Sequence, residues 1–505
     1  MRLDLDNLPS DMALLHGLLR DMAAVVEHRD GEIERLQTII KQLQRTQFGR
    51  RSERLDPDQL ALGLEDLDSD IGRAEASGPH VDVEIADKRP RRKPLADHLP
   101  REEVVIDVAN DACPCCGGVL HSIGESVSEM LDWVPAQLRV LRITRPKYAC
   151  RTCNTVAQAP APDRPIAGGL ATPALLAQVL VSKYCDHTPL YRQAQIFARH
   201  GVELERSTLA GWVGGACWWL EALDDRLRKD VFASDHLFAD DTPVPVLDPG
   251  RGRTKTGRLW VYARDQRPWG GPAPPAAVYI FAPDRRAERP AAHLEHFKGV
   301  LHVDGYAGFE RLTIRGDVVL AACWAHTRRK FYEVVQTEDT PLAHEIAGLY
   351  AVEAQVRGQS PVHRLAARRT LAKPIVDALQ IWLETHLPHL PGRGKLAEAM
   401  RYALARWNGL TRFLYDGRIE LDTNPVERAI RPVALGRKNH LFAGSDGGGA
   451  RWATVCTLIE TCKLNGVEPY AYLLDVLTRM VGGHPINRID ELLPWAWKAA
   501  NHVKT

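Results

Sequence analysis

From His236 onward the hydrophobic period of the chain switches from helical to extended. HLFADDTPVPVL, RLWVYARD, AAVYIFAP, GVLHVDGY and DVVLAACW are short apolar runs with turn signals between them. They read as strands. A helical pattern precedes them, and another follows to the C-terminus, with loops at LPHLPGRGK and FAGSDGGGAR. Strands first, then strands alternating with helices, predict an α/β core carrying a helical insertion. A chain of 505 residues exceeds what one hydrophobic core holds, so three or more folding units are expected.

Upstream, Met12, Leu15, Leu19, Met22, Val26, Ile33, Leu36, Ile40 and Leu43 follow alternating spacings of three and four, broken at Arg29. That is the seam of a coiled coil. Residues 11–47 are therefore expected to form one long self-associating helix capped by Ser10, although Gly31 weakens its middle. An amphipathic helix packed on its own domain is the competing reading. The stretch up to residue 100 is acidic and then basic (RPRRKP), lacks periodicity, and reads as a linker. Cys113-Pro-Cys115-Cys116-Gly and Cys150-Arg-Thr-Cys153 follow. Two such knuckles can aim four thiolates at one tetrahedral ion. Cys113, Cys116, Cys150 and Cys153 are the expected ligands of a structural Zn2+, with Cys115 the alternative in the first pair. TPALLAQVLVSKY, TPLYRQAQIFARHG and ERSTLAGWVGGACWWLEALDDRLRK give three helices. Gly201 turns the chain before the third, and Ser207 or Thr208 is expected to cap it. Such helices suit a helix-turn-helix and, equally, a helical packing domain.

Sixty-five basic and sixty-four acidic side chains leave a net charge of +1. Contact with nucleic acid would then rest on clustered rather than overall charge. No apolar run reaches the roughly 18 residues of a membrane span, and MRLDLDNLPSD lacks the apolar stretch of a signal peptide. A cytosolic location with no membrane partner is expected. In that compartment the ten cysteines are metal ligands or buried thiols rather than disulfides.

Three carboxylates stand out by context. Asp240 ends an apolar strand in LFADDT, Asp304 ends another in VLHVDGY, and Glu427 lies in the first turn of a helix in LDTNPVERAIR. A carboxylate at the end of a buried strand is costly unless it is paired or holds a cation. Together the three make an oxygen site for Mg2+, and paired ions serve in-line phosphoryl displacement. Singly, each has a plainer reading. Aspartate at strand ends and Asp-Gly are turn signals, while Asn424, Pro425 and Glu427 match a helix cap, a first-position proline and a capping-box glutamate. Cys323 and His326 in CWAHTRRKF are close enough to share a metal, but one Cys and one His are an incomplete zinc set; a buried hydrogen bond is the alternative. Arg328, Arg329 and Lys330, and then Arg428, Arg431, Arg437 and Lys438, suit phosphate contact or simple solvation.

FGRRSERL, CPCCGG, CRTC, SKYCDHTPLYRQ, ERSTLAGWV, FADDTPV, LHVDGYAGFE, CWAHTRRKF, TNPVERAIRP and GRKNHLFAGS occur in the order found in transposases of the insertion-sequence-66 family, which the chain closely resembles over nearly its whole length. The resemblance implies a DDE catalytic domain of RNase H-like fold, with a helical insertion before the glutamate and Asp240, Asp304 and Glu427 as its Mg2+- or Mn2+-binding triad. It also implies a zinc-binding domain, helix-turn-helix-like regions for the element's ends, target DNA as a second DNA partner, small accessory proteins of the same element, and a bacterial, nucleoid-associated location. Asp241 stands where the family often has glutamate, and Thr423 where it often has a second asparagine; both departures keep the expected triad. The expected layout is a coiled-coil helix at 1–55, a linker at 56–100, a zinc-binding domain at 101–165, a helical DNA-binding region at 166–232, an RNase H-like domain at 233–445 with an insertion at about 335–420, and a helical C-terminal region at 446–505. The function expected is end cleavage and joining of 3′-hydroxyls to target DNA. The alternative is a zinc-ribbon and helix-turn-helix regulator with an inactive core.

Overall fold

The computed structural model describes residues 138–145, 147–149, 156–158, 160–248, 250, 252–335 and 342–502. The expected coiled coil, the linker and Cys113, Cys116, Cys150 and Cys153 lie outside the described residues. Residues 79–161 form a unit of their own. Within it β1 (Lys147–Ala149) pairs antiparallel with β2 (Val156–Gln158).

The second unit takes the chain from Pro162 on. It opens with α1 (Pro173–Tyr184), α2 (Leu190–Arg199) and α3 (Arg206–Phe232). Thr172 caps α1 by accepting the N–H of Leu175, and Gly201 turns the chain at φ 76°. The cap of α3 differs from expectation. Its N-cap is Glu205, in extended conformation and without a side-chain cap bond, while Ser207 and Thr208 lie exposed inside the first turn. The helix starts ahead of the residues best suited to cap it. Beyond that turn Leu209, Val213, Ala216, Leu220, Leu223 and Leu227 run down one buried face at helical spacing.

The strands expected from residue 236 form one five-stranded sheet, ordered β5-β4-β3-β6-β7. Its members are β3 (His236–Val246), β4 (Lys255–Arg264), β5 (Ala276–Ala282), β6 (Gly299–Val303) and β7 (Val318–Ala322). β4 is antiparallel to both β3 and β5, while β3, β6 and β7 are mutually parallel. Two short helices, α4 (Glu288–His293) and α5 (Glu310–Thr313), link the strands. Pro243 and Pro245 are tolerated inside β3 because β6 has already ended there, so that side needs no ladder donor.

α6 (Trp324–Val335) follows β7 and leads into the insertion: α7 (Leu342–Val356), α8 (Pro361–Ala367), a π-helical turn at Arg368–Ala372, α9 (Lys373–His386), α10 (Lys395–Ala405) and α11 (Trp407–Leu410). This layer has its own core around Trp324, Phe331, Leu349, Met400 and Phe413. Arg364 and Arg368 are wholly buried in it, on the carboxylate of Glu353. Four helices close the chain: α12 (Asn424–His440), α13 (Asp446–Leu464), α14 (Pro469–Val481) and α15 (Pro494–His502). α13 covers the open edge of the sheet. Thr461 and Thr457 accept the N–H groups of Ala277 and Tyr279 on β5, which satisfies an edge that would otherwise invite another strand. Among the described residues no helix is long and apolar enough to cross a membrane.

Candidate acidic metal centre

Sheet register sets Asp240 beside Asp304. The parallel pairing of β3 with β6 ends at Ala239 opposite Val303, and the next residue on each strand is an aspartate. Neighbouring strands lie about 4.8 Å apart, so the two carboxylates emerge from adjacent positions. Asp240 does not end its strand, as the sequence suggested: β3 runs on to Val246, paired on this stretch with β4. It is the parallel partner that ends there, and this opens the space beside Asp240.

The turn after Asp304 is held from two sides. Asp304 Oδ1 accepts the N–H of Tyr306 at 2.9 Å, and Gly305 sits at φ 102°. A Cβ on Gly305 would meet Arg406 Nε at 2.5 Å, so the position needs glycine for both conformation and space. From the insertion, Tyr402 donates to the Asp304 carbonyl at 2.7 Å and Arg406 to the Gly305 carbonyl at 3.1 Å.

Glu427 is buried in the first turn of α12. The capping-box reading fails: the helix N-cap is Thr423 rather than Asn424, the N–H of Asn424 goes to Asp422 Oδ1 at 3.1 Å, and that of Thr423 goes to Cys323 Sγ at 3.4 Å. Instead Thr423 Oγ1 donates to Glu427 Oε1 at 2.5 Å. A hydroxyl has a single proton, so the 3.3 Å contact between Thr423 Oγ1 and Cys323 Sγ is made with the thiol proton. Burial, then Glu427 and Asp422, push that thiol far up, which keeps it a donor. The relay Cys323–Thr423–Glu427 occupies Oε1. The other oxygen, Oε2, is buried with no hydrogen-bond partner among the described residues, and so is His326 Nδ1. His326 Nδ1 lies 3.6 Å from Glu427 Oε1.

The three carboxylates share one electrostatic environment. Burial pushes the Asp240 carboxyl well above the usual range; Asp304, Asp241 and Glu427 push it further, and His326 opposes them. Asp241 is held apart by cations of its own, Arg285 at 2.8 Å and Arg258 at 3.0 Å. A buried Asp240 carboxyl raised by its acidic neighbours, and an orphaned oxygen on the buried Glu427, fit a hard divalent cation, which would relieve both burial and repulsion.

A match to the signature described as "Transposase IS66 family" spans residues 168–451, more than half of the chain. The chain belongs to the IS66 family of transposases. Further segments match an "IS66 C-terminal element" at 457–495, a "zinc-finger binding domain of transposase IS66" at 110–154 and "Transposase C of IS166 homeodomain" at 35–104. The family is thus of zinc-binding and DNA-binding type, and all four cysteines expected to hold zinc fall inside the zinc-finger segment. Two relatives from Sinorhizobium fredii, "Uncharacterized protein y4jD" and "Uncharacterized protein y4qI", are 44% and 43% identical, over 99% and 94% of this chain and 99% and 91% of their own lengths.

Other side chains of this IS66 transposase differ from the sequence expectation. Arg328 is buried, not open to phosphate, and Arg437 donates to the Pro243 carbonyl at 2.7 Å; Lys330, Arg428 and Lys438 are exposed. Sequence reasoning missed Asp422, pushed up to about 7 by burial and by Glu420 and Glu427. It also missed His302, 1% exposed. Its Nε2 accepts the N–H of Glu420 at 3.0 Å, so its Nδ1–H donates to the Leu237 carbonyl at 3.2 Å. One neutral imidazole thereby joins β3, β6 and the segment leading to Glu427. A lone histidine in an apolar strand gave no hint of this.

Proposed function

We propose that this IS66 transposase is a DDE-type, metal-dependent DNA enzyme that cleaves the ends of its insertion sequence and joins the 3′-hydroxyls to target DNA. The observation that carries the reading is the sheet register, which sets Asp240 beside Asp304, with Glu427 acting on the Asp240 carboxyl. The strand order, with β4 alone running against the rest, supports an RNase H-like core. Asp240, Asp304 and Glu427 would hold Mg2+ or Mn2+. Bound there, the ions would activate the attacking oxygen and stabilise the leaving one. The chain's own contribution is orientation. The Cys323–Thr423 relay leaves Glu427 Oε2 for the cation, and the Tyr402 and Arg406 contacts hold the turn behind Asp304. The zinc-binding segment, through Cys113, Cys116, Cys150 and Cys153, together with α1–α3, would engage the element's ends, and residues 11–47 would join copies of the chain. Accessory proteins of the element and a bacterial, nucleoid-associated setting belong to the same reading.

The test is a cleavage and joining assay on the element's own ends with Mg2+. Asp240→Asn, Asp304→Asn and Glu427→Gln should each abolish both steps and leave end binding intact. Asp241→Asn should cost much less. Near-normal joining by Asp304→Asn would overturn the assignment.

A further inference from the structure

We infer that His326 is a nitrogen ligand of the cation held by the acidic centre. The inference rests on the proposed metal site and adds a residue to it. Two buried polar atoms there have no hydrogen-bond partners among the described residues: His326 Nδ1, and Glu427 at its Oε2. The contact of His326 Nδ1 with Glu427 Oε1, at 3.6 Å, is too long for a hydrogen bond. It sets the imidazole against the carboxylate whose other oxygen, Oε2, is left for the cation. Buried polar atoms left unmatched are costly in a folded protein, so the arrangement is expected to be completed by something bound there.

His326 also reaches beyond Glu427, since it acts electrostatically on Asp240. Its place follows from the chain: it lies in the first turn of α6, directly after β7, the parallel neighbour of β6. Cys323 offers a third atom within 4.8 Å of the other two. Its proton, however, is committed to Thr423 in the relay that orients Glu427. The ligand set assigned is three carboxylates and one imidazole, which favours Mn2+ over Mg2+ because imidazole is the softer donor.

The experiment uses the full chain loaded with Mn2+ alone, read by calorimetric titration and by electron spin-echo modulation from 14N. The expected result is Mn2+ binding that Asp304→Asn abolishes, with a directly bound nitrogen in the wild type. His326→Gln should remove that nitrogen signal and weaken Mn2+ binding about tenfold or more, with the fold retained by circular dichroism. Tight Mn2+ binding without nitrogen coupling, or a coupling that survives in His326→Gln, would overturn the ligand assignment and leave the acidic site standing. Mn2+ binding indifferent to Asp304→Asn would overturn the acidic site itself, and this ligand with it.

Discussion

His440, at the end of α12, ties the catalytic helix to the first helix of the upstream bundle. Its Nε2 lies 2.9 Å from the Lys183 carbonyl, and its Nδ1 lies 3.3 Å from Lys183 Nζ. A carbonyl only accepts, so Nε2 carries the proton and Nδ1 accepts from the ammonium. Burial, and next the charge of Lys183, lower the His440 pKa to about 3. His440→Phe should keep the ring contact with Trp452 but strand Lys183, itself lowered to about 8 by burial. Losing a hydrogen bond to a charged group should cost about 2 kcal/mol at pH 7.5. The wild type meets its own loss in acid. A histidine whose folded pKa lies below its unfolded value contributes stability that is complete above about pH 6.5 and is lost as pH falls toward 3. From pH 7.5 to 5 that loss is about 2 kcal/mol. The variant has no such term, so the two proteins should converge in acid. Thermal scanning should show a gap of roughly 3 °C at pH 7.5 that nearly vanishes at pH 5. A gap that stays constant or widens would refute the neutral-imidazole assignment.

Glu353→Ala should leave the buried Arg368 without its carboxylate, while Arg364 keeps Glu420; a loss of about 3–5 kcal/mol is expected, visible as early urea unfolding of the insertion. Thr423→Val should cut the relay to Glu427, lowering the joining rate about tenfold or more with end binding unchanged; an unaltered rate would mean that the relay does not orient the carboxylate. Substituting Cys113 and Cys116 together by serine should remove about one zinc per chain from the metal content of the full protein, and an unchanged zinc content would reject those ligands.

The sequence was most informative where a local rule and the tertiary structure agree. The strands from HLFADDTPVPVL to DVVLAACW lie in the sheet because their apolar runs are buried between helices, and such burial leaves a plain compositional trace. The position of Asp240 was misread because a strand's length is set by two partners. An apolar run shows neither where β6 stops nor that β4 continues. Glu427 looked like a capping glutamate because N-terminal helix chemistry is local, whereas the thiol that takes the Thr423 N–H comes from 100 residues upstream. His302, Asp422, Tyr402 and Arg406 were hidden for the same reason: their roles are long-range hydrogen bonds and burial, which leave no periodic signal. For Cys323 and His326 the spacing was visible, but proton counting in the folded site is what separates a hydrogen-bonded thiol from an unpartnered imidazole.

The most direct test of the account is to locate the cation itself. Crystals of the full chain grown with Mn2+, measured at the manganese edge, should show anomalous density in contact with Asp240, Asp304 and Glu427, and none at that place in Asp304→Asn crystals. Density elsewhere with these three carboxylates bare, or density unchanged by Asp304→Asn, would contradict it.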